Sequence, residues 1–140
     1  MSVWTIRVGT LADRATVLAL WLAAGSVPSA TDDEEGLRRL LDRDAECLLV
    51  AEADGEIVGS LIAAWDGWRG SFYRLAVDPA WRRRGLASEL VTAGEDRLRR
   101  LGAVRLTAIV AEGEGGAAEL WGSAGYERQQ RRGRFVRELP

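Results

Sequence analysis

The sequence predicts an α/β protein built on one mixed, mostly antiparallel central sheet with helices on both faces. Three observations lead there. Strand-like and helix-like segments follow one another in the order β-α-α-β-β-β-α-β-α-β-β, which suits a layered sheet rather than a bundle or a sandwich. Two tight-turn dipeptides, Asp54-Gly55 and Asp66-Gly67, join three consecutive strands and so make that part antiparallel. The 140 residues are 47% hydrophobic and 29% charged, a globular balance that supplies one core.

The elements run as follows. Val3 to Val8 alternates and reads as a strand. Asp13 to Ala24 carries Val17, Leu18, Leu20, Trp21 and Leu22 at helical spacing, and Gly25 to Ala30, with Pro28, is a loop. Thr31-x-x-Glu34 reads as a capping box opening a second helix through Arg43. Cys47 to Ala53 and Glu56 to Ala64 are strands around Asp54-Gly55, where a type I′ turn needs positive φ at both central residues. Ser71 to Val77 is a strand ended by Asp78-Pro79. Leu86, Leu90, Leu98 and Leu101 repeat at helical intervals, and Gly102 stops that helix. Val104 to Val110 reads as a strand and Gly113 to Gly116 as a loop. Ala117, Leu120, Trp121 and Ala124 stripe a short helix that Gly125 ends. The tail, Tyr126 to Leu139, reads as a final hairpin turning at Arg132-Gly133. One domain over 1–140 is expected, without repeats or linkers.

The absences narrow the chemistry. The chain has no His, no Lys and no Asn. Without His, Ser-His-Asp and Cys-His nucleophilic machines are excluded. Without Lys there is no Schiff-base site and no Walker-type phosphate loop. Cys47 is the one cysteine, so no internal disulfide or multi-cysteine zinc site forms, and no metal is expected. It lies in the apolar run Cys47-Leu48-Leu49-Val50 and reads as a core residue. The net charge of −2 gives no basic field for nucleic acid. No apolar run spans a bilayer and Met1 to Gly9 lacks a signal-peptide core, so a cytoplasmic location is expected.

The segment Arg82-Arg83-Arg84-Gly85-Leu86-Ala87 carries the strongest signal. It joins a strand ending in Asp-Pro to an amphipathic helix. A helix N-terminus offers unpaired N–H groups and positive partial charge to an anion. Gly85 lacks a Cβ and Ala87 is small, so a pyrophosphate can approach the backbone, and the three guanidinium groups add charge for phosphates. The competing reading is a solvated basic turn.

Leu75-Ala76-Val77-Asp78-Pro79-Ala80-Trp81-Arg82-Arg83-Arg84-Gly85-Leu86-Ala87 resembles the acetyl-CoA motif of the GNAT acyltransferases. Ala117-x-x-Leu120-Trp121-x-x-x-Gly125-Tyr126 resembles their C-terminal motif. The element order matches that family over nearly the whole chain. Leu49-Val50-Ala51-Glu52 through Trp65-Asp66-Gly67-x-Arg69-Gly70 is similar to a small bacterial subgroup. The resemblance implies a sheet whose central strands splay apart, with the thioester of acetyl-CoA in the gap. It implies that Leu75, Ala76 and Val77 pair their backbone with the pantetheine arm and that Arg82 to Ala87 wrap the pyrophosphate. A backbone N–H near Val77 would stabilise the oxyanion, and an acceptor amine of a small molecule, peptide or protein would attack directly.

The sequence departs from that family at two positions. Many members carry a tyrosine, which protonates the departing thiolate, where this chain has Trp121, and an asparagine where it has Glu114. An indole N–H gives up no proton readily. Thiol pKa values near 8.5 make a thiolate a tolerable leaving group, so loss of that acid need not abolish turnover. An alkylamine with a pKa of roughly 10.4 costs about 4–5 kcal/mol to deprotonate at pH 7, so a base is needed. Tyr73, two residues before Leu75 and so expected on its face, and Glu112, just past the next strand, are the candidates. Each has a structural alternative, as a packed aromatic and a solvated carboxylate.

Other features divide in the same way. Asp32, Asp33, Glu34 and Glu35 attract a cationic acceptor or merely favour a helix's first turn, the second reading being stronger. Trp65 and Trp68 line the acceptor site, form a homodimer contact, or are scattered surface aromatics. The arginines at 128, 131, 132, 134 and 137 lack an RNA-module motif and read as a solvated hairpin. Two functions follow: an acetyl-CoA-dependent N-acetyltransferase, or a non-catalytic acyl-CoA-binding or sensory domain, the latter motivated by Trp121 and Glu114.

Overall fold

A computed structural model of the chain describes residues 3–110 and 116–140. They form two compact units, 1–109 and 110–140. The first unit holds β1 (Thr5–Val8), α1 (Arg14–Ala23), α2 (Glu34–Arg43), β2 (Leu48–Ala53), β3 (Glu56–Trp65), β4 (Gly70–Val77), α3 (Leu86–Leu101) and β5 (Leu106–Ala108). The sheet order is β1-β2-β3-β4-β5, antiparallel except for the parallel β4–β5 pair.

Turn chemistry sets the antiparallel half. Asp54 and Gly55 take φ of +52° and +77°, the two positive values a type I′ hairpin requires. At the next turn the Asp66 carboxylate accepts from the N–H groups of Trp68 and Arg69, both at 2.7 Å. Those two bonds hold its pKa below the usual carboxylate range.

Each face of the sheet buries its own helices. On one face Leu48, Val50, Ile62 and Ala76 join Val17, Leu20 and Trp21 of α1 and Leu37 and Leu41 of α2. On the other, α3 lies close to the sheet. A β-carbon on Gly94 would stand 2.8 Å from the ring of Phe72 and 3.1 Å from Leu61, so only glycine permits that approach. Arg97 reaches from α3 to the turn before β2, donating from Nε to the Glu46 carbonyl at 3.0 Å and pairing with Asp44. Cys47 is fully buried nearby, and burial, helped by Asp44, pushes its thiol up to about 11. It is a core cysteine.

Several expectations need correction. β1 begins at Thr5 rather than Val3, and β5 covers Leu106–Ala108 rather than Val104 to Val110. The α2 cap is Asp33, whose carboxylate accepts from Gly36 N–H at 2.7 Å, not Thr31. An aspartate next to the first helical residue is the better-placed acceptor. The reciprocal arrangement expected there occurs at Thr10, whose N–H donates to the Asp13 carboxylate at 2.8 Å. The second unit holds α4 (Ala117–Ser123), and no strand forms among its described residues, so the expected hairpin at Arg132-Gly133 is absent. Residues 127–140 are exposed, which leaves alternating side chains there no surface to pack on. No helix among the described residues is long and apolar enough to cross a membrane.

Candidate functional site

β4 is the axis of the site. Along one edge it pairs with β3 from Gly70 to Val77. Along the other, β5 covers only Gly70, Ser71 and Phe72. From Tyr73 to Val77 that edge has no strand partner among the described residues, so the sheet opens there. An open edge presents backbone N–H and C=O groups to whatever extended molecule lies along it.

A bulge changes the geometry of that edge. Tyr73 pairs with Ile62 and Ala76 with Ser60, so Arg74 and Leu75 together oppose the one residue Leu61. Arg74 takes φ +54°, a left-handed value uncommon outside glycine. The extra residue shifts the side-chain alternation by one. Phe72 contacts the α3 side, yet Ala76 belongs to the α1–α2 core. Tyr73, opposite Ile62, therefore lies on the α1–α2 face, and Val77, opposite Gly59 beneath Leu86 and Leu90, lies on the α3 face. The alternation expected to put Tyr73 on the face of Leu75 is broken by the bulge between them, and Tyr73 and Val77 end on opposite faces. Tyr73 is 45% exposed.

Four groups hold the bulge. Trp21 Nε1 donates to Ser60 Oγ at 2.9 Å inside the core, and Ser60 Oγ lies 3.5 Å from the Arg74 carbonyl. The Arg74 guanidinium, 5.7 Å over the Trp21 ring, reaches the α1–α2 loop. There its Nε donates to Asp32 Oδ1 at 3.2 Å, its Nη2 pairs with Oδ2, and Nη2 also lies 3.5 Å from the Val27 carbonyl. None of Trp21, Ser60 or Arg74 is singled out by the sequence motifs. The one local signal is a charged residue breaking the apolar run Phe72 to Val77.

The basic loop follows directly. Asp78 Oδ1 accepts from Ala80 N–H at 2.9 Å and turns the chain through one 3-10 turn, Pro79–Trp81. Arg83 and Gly85 then take φ of +63° and +86°, and Gly85 opens α3. A β-carbon on Gly85 would meet nothing within 4 Å, so the conformation, not crowding by the protein, calls for glycine. Leu86 and Ala87 begin the first turn of α3, where backbone N–H groups lack intrahelical acceptors. The three arginines are not alike. Arg82 donates from Nη2 to the Ala24 carbonyl at 2.9 Å and ties the loop to the end of α1. Arg84 stacks 4.7 Å over Trp81, which meets Trp4 edge-on at 6.3 Å; Trp4 in turn donates to Glu89 of α3. Arg83 is exposed.

Three acids of the run 32–35 have their side chains engaged in structure. Asp32 binds Arg74 and accepts from Ser29 N–H at 2.8 Å, and Asp33 caps α2. Glu35 pairs with Arg38 and Arg39, and Arg38 first of all holds its carboxyl down to about 2. Trp68 is exposed at its turn with Arg69 stacked on it at 4.0 Å. In the second unit Trp121 is buried and meets Tyr126 edge-on at 4.9 Å. Glu112 and Glu114 lie outside the described residues.

Comparison with known proteins bears on this arrangement. The family model described as Acetyltransferase (GNAT) family matches residues 16–126. An acetyltransferase of Yersinia enterocolitica is 36% identical over 124 residues, covering 89% of this chain and 88% of its own. An acetyltransferase of Pectobacterium atrosepticum is 34% identical over 122 residues, covering 87% and 86%. Among solved structures, Ard1 from Thermoplasma volcanium superposes with a TM-score of 0.79 at 19% identity, covering 89% of this chain and 82% of its own. The PaiA N-acetyltransferase of Thermoplasma acidophilum, in complex with coenzyme A, also gives 0.79, at 15% identity, covering 95% and 94%. At those identities the two structures speak for the fold alone.

Proposed function

The chain belongs to the GNAT acetyltransferase family, and from that premise we propose that it moves the acetyl group of acetyl-CoA to a primary amine of a small molecule, peptide or protein. The observation that carries this reading is the open edge of β4 from Tyr73 to Val77, continuing into a positive-φ loop at the start of α3. Leu75, Ala76 and Val77 would pair with the pantetheine arm. The backbone from Arg83 to Ala87, with the Arg83 and Arg84 guanidinium groups, would receive the pyrophosphate. Arg82, bound to Ala24, would hold the loop in place.

In the reaction the amine nitrogen attacks the thioester carbon and the C–S bond breaks. The electron pair leaves on sulfur as thiolate, and the amine loses a proton. A backbone N–H at the open edge would steady the transient oxyanion. Tyr73, exposed on β4, would serve as the base only as its phenolate, taking up the amine's proton directly or through water and returning it to solvent afterwards. Trp121 would fill the position of a thiolate acid without supplying a proton.

The test is coenzyme A release from acetyl-CoA with a panel of amines, alongside calorimetric binding of acetyl-CoA. Binding and amine-dependent release are expected. Absence of binding at millimolar acetyl-CoA would overturn the reading. Trp121 favours a second reading, a domain that binds acyl-CoA without turnover. Trp121→Tyr separates the two. It restores a transferable proton, so an enzyme gains several-fold in rate at low pH, below the 10²–10⁴ typical of general acids because a thiolate leaves readily. A binding domain stays at zero.

A further inference from the structure

Beside the bulge lies a small cavity bounded by Leu18, Trp21, Leu22, Ser26, Pro28 and Asp32. Its walls are apolar or aromatic except at Ser26 and the Asp32 carboxylate. A carboxylate in such a wall ordinarily selects a cation, because a charge taken out of water requires a partner. Here the partner is already in place. The Asp32 side chain is 10% exposed, and it accepts from Arg74 Nε, Arg74 Nη2 and Ser29 N–H. A guanidinium holding a carboxylate through two nitrogens cancels its charge and occupies its lone pairs. Of the neighbouring acids, Asp33 caps α2, Glu35 holds Arg38, and Glu34 is exposed in the first turn of α2 and is not among the residues that line the cavity. The bulge fixes this pairing: it turns the Arg74 backbone to φ +54° and points the guanidinium across Trp21 toward the loop.

We propose that Arg74 determines acceptor specificity by masking Asp32: the cavity receives the apolar, uncharged body of an acceptor amine, and amines bearing a second positive charge are rejected. The inference rests on the transfer reading above. A second ammonium in the cavity finds no free Asp32 carboxylate, so taking it out of water goes uncompensated, and the discrimination comes from that missing attraction.

The experiment compares 2-phenylethylamine with spermidine on the wild-type chain, Arg74→Gln, Arg74→Gly and the double variant Arg74→Gln/Asp32→Asn. Turnover is read as kcat/KM, and binding of each amine to the protein saturated with acetyl-CoA is read by calorimetry, or by displacement where turnover is fast. Wild type should prefer 2-phenylethylamine. Arg74→Gln should raise both spermidine readouts at least tenfold relative to 2-phenylethylamine, and Asp32→Asn in the same chain should cancel the gain. Arg74→Gly serves if the glutamine variant misfolds, since glycine accepts positive φ without strain. An unchanged spermidine preference in a folded variant overturns the proposal. A gain in spermidine binding without turnover of either amine by any variant supports the proposal while sinking the transfer reading.

Discussion

Arg74 in β4 and Arg83 in the basic loop share an unusual backbone conformation, at φ +54° and +63°. Their surroundings differ. Arg83 is exposed in a four-residue bend between a 3-10 turn and α3, two residues before a glycine that is also left-handed. Arg74 stands inside a strand, with its guanidinium on Asp32 and its carbonyl near Ser60. The first conformation belongs to a local turn. The second is imposed by the register of β4 against β3 and secured by Asp32, 42 positions away in the chain. Strain at a turn is inexpensive and local, whereas strain in a strand persists only when tertiary contacts over-determine it.

The most severe way to break the loop side of this comparison is Gly85→Val. A β-branched residue at φ +86° is strongly disfavoured, and its side chain enters the open space where the proposed phosphate would lie. Calorimetry should show acetyl-CoA binding weakened at least tenfold, about 1.4 kcal/mol, with the circular dichroism of the fold retained. Equal affinity in a folded variant would place the phosphates elsewhere.

Replacing each arginine by glycine sharpens the comparison directly. Both changes relieve positive φ. Arg74→Gly also strips Asp32 of its partner and should destabilise by about 1–3 kcal/mol, less than a fully buried pair because Arg74 is 27% exposed. Arg83→Gly loses no contact of that kind. Its relief of roughly 1–2 kcal/mol is largely offset by the added freedom of the unfolded chain, so its stability should stay within about 0.5 kcal/mol of wild type. Urea midpoints at unchanged m-value measure both. A larger loss for Arg83→Gly would reverse the assignment of which strain is tertiary.

The smallest effect concerns a pair outside both regions. Arg7, with help from Thr10, holds the Asp13 carboxyl at about 2, below its ordinary 3.8. A depressed carboxyl contributes stability that is complete above its unfolded pKa and is lost as pH falls through the folded one. The chain should therefore lose stability between about pH 4 and pH 2, and Asp13→Asn should flatten that part of the profile. An identical slope in the variant would remove Asp13 from the acid response.

Much of the fold was legible from short-range chemistry. Leu86 and Gly102 bound α3 where the apolar repeat and the glycine stop place them. Asp54-Gly55 made its type I′ turn because Asp-Gly is among the few pairs that tolerate two positive φ values cheaply. The tail was not legible, since alternation alone cannot say whether a partner strand exists, and α2 took Asp33 over Thr31 because neighbouring acceptors compete for the same N–H groups. For the site, the loop from Arg82 to Ala87 was visible as a backbone pattern, but the separate duties of Arg82 and Arg84 were not.

Apart from the tail, the sequence by itself determined which segments are strands and helices, where most turns fall, and that a glycine-started helix follows a basic loop. These depend on propensities and dihedral preferences that act within a few residues. Only the tertiary structure decided that β4 bulges at Arg74, that Tyr73 and Val77 face opposite sides, and that Asp32 is masked. Those outcomes come from pairing register and from charges meeting across 42 residues of chain, and neither leaves a mark in the local pattern of apolar and polar residues.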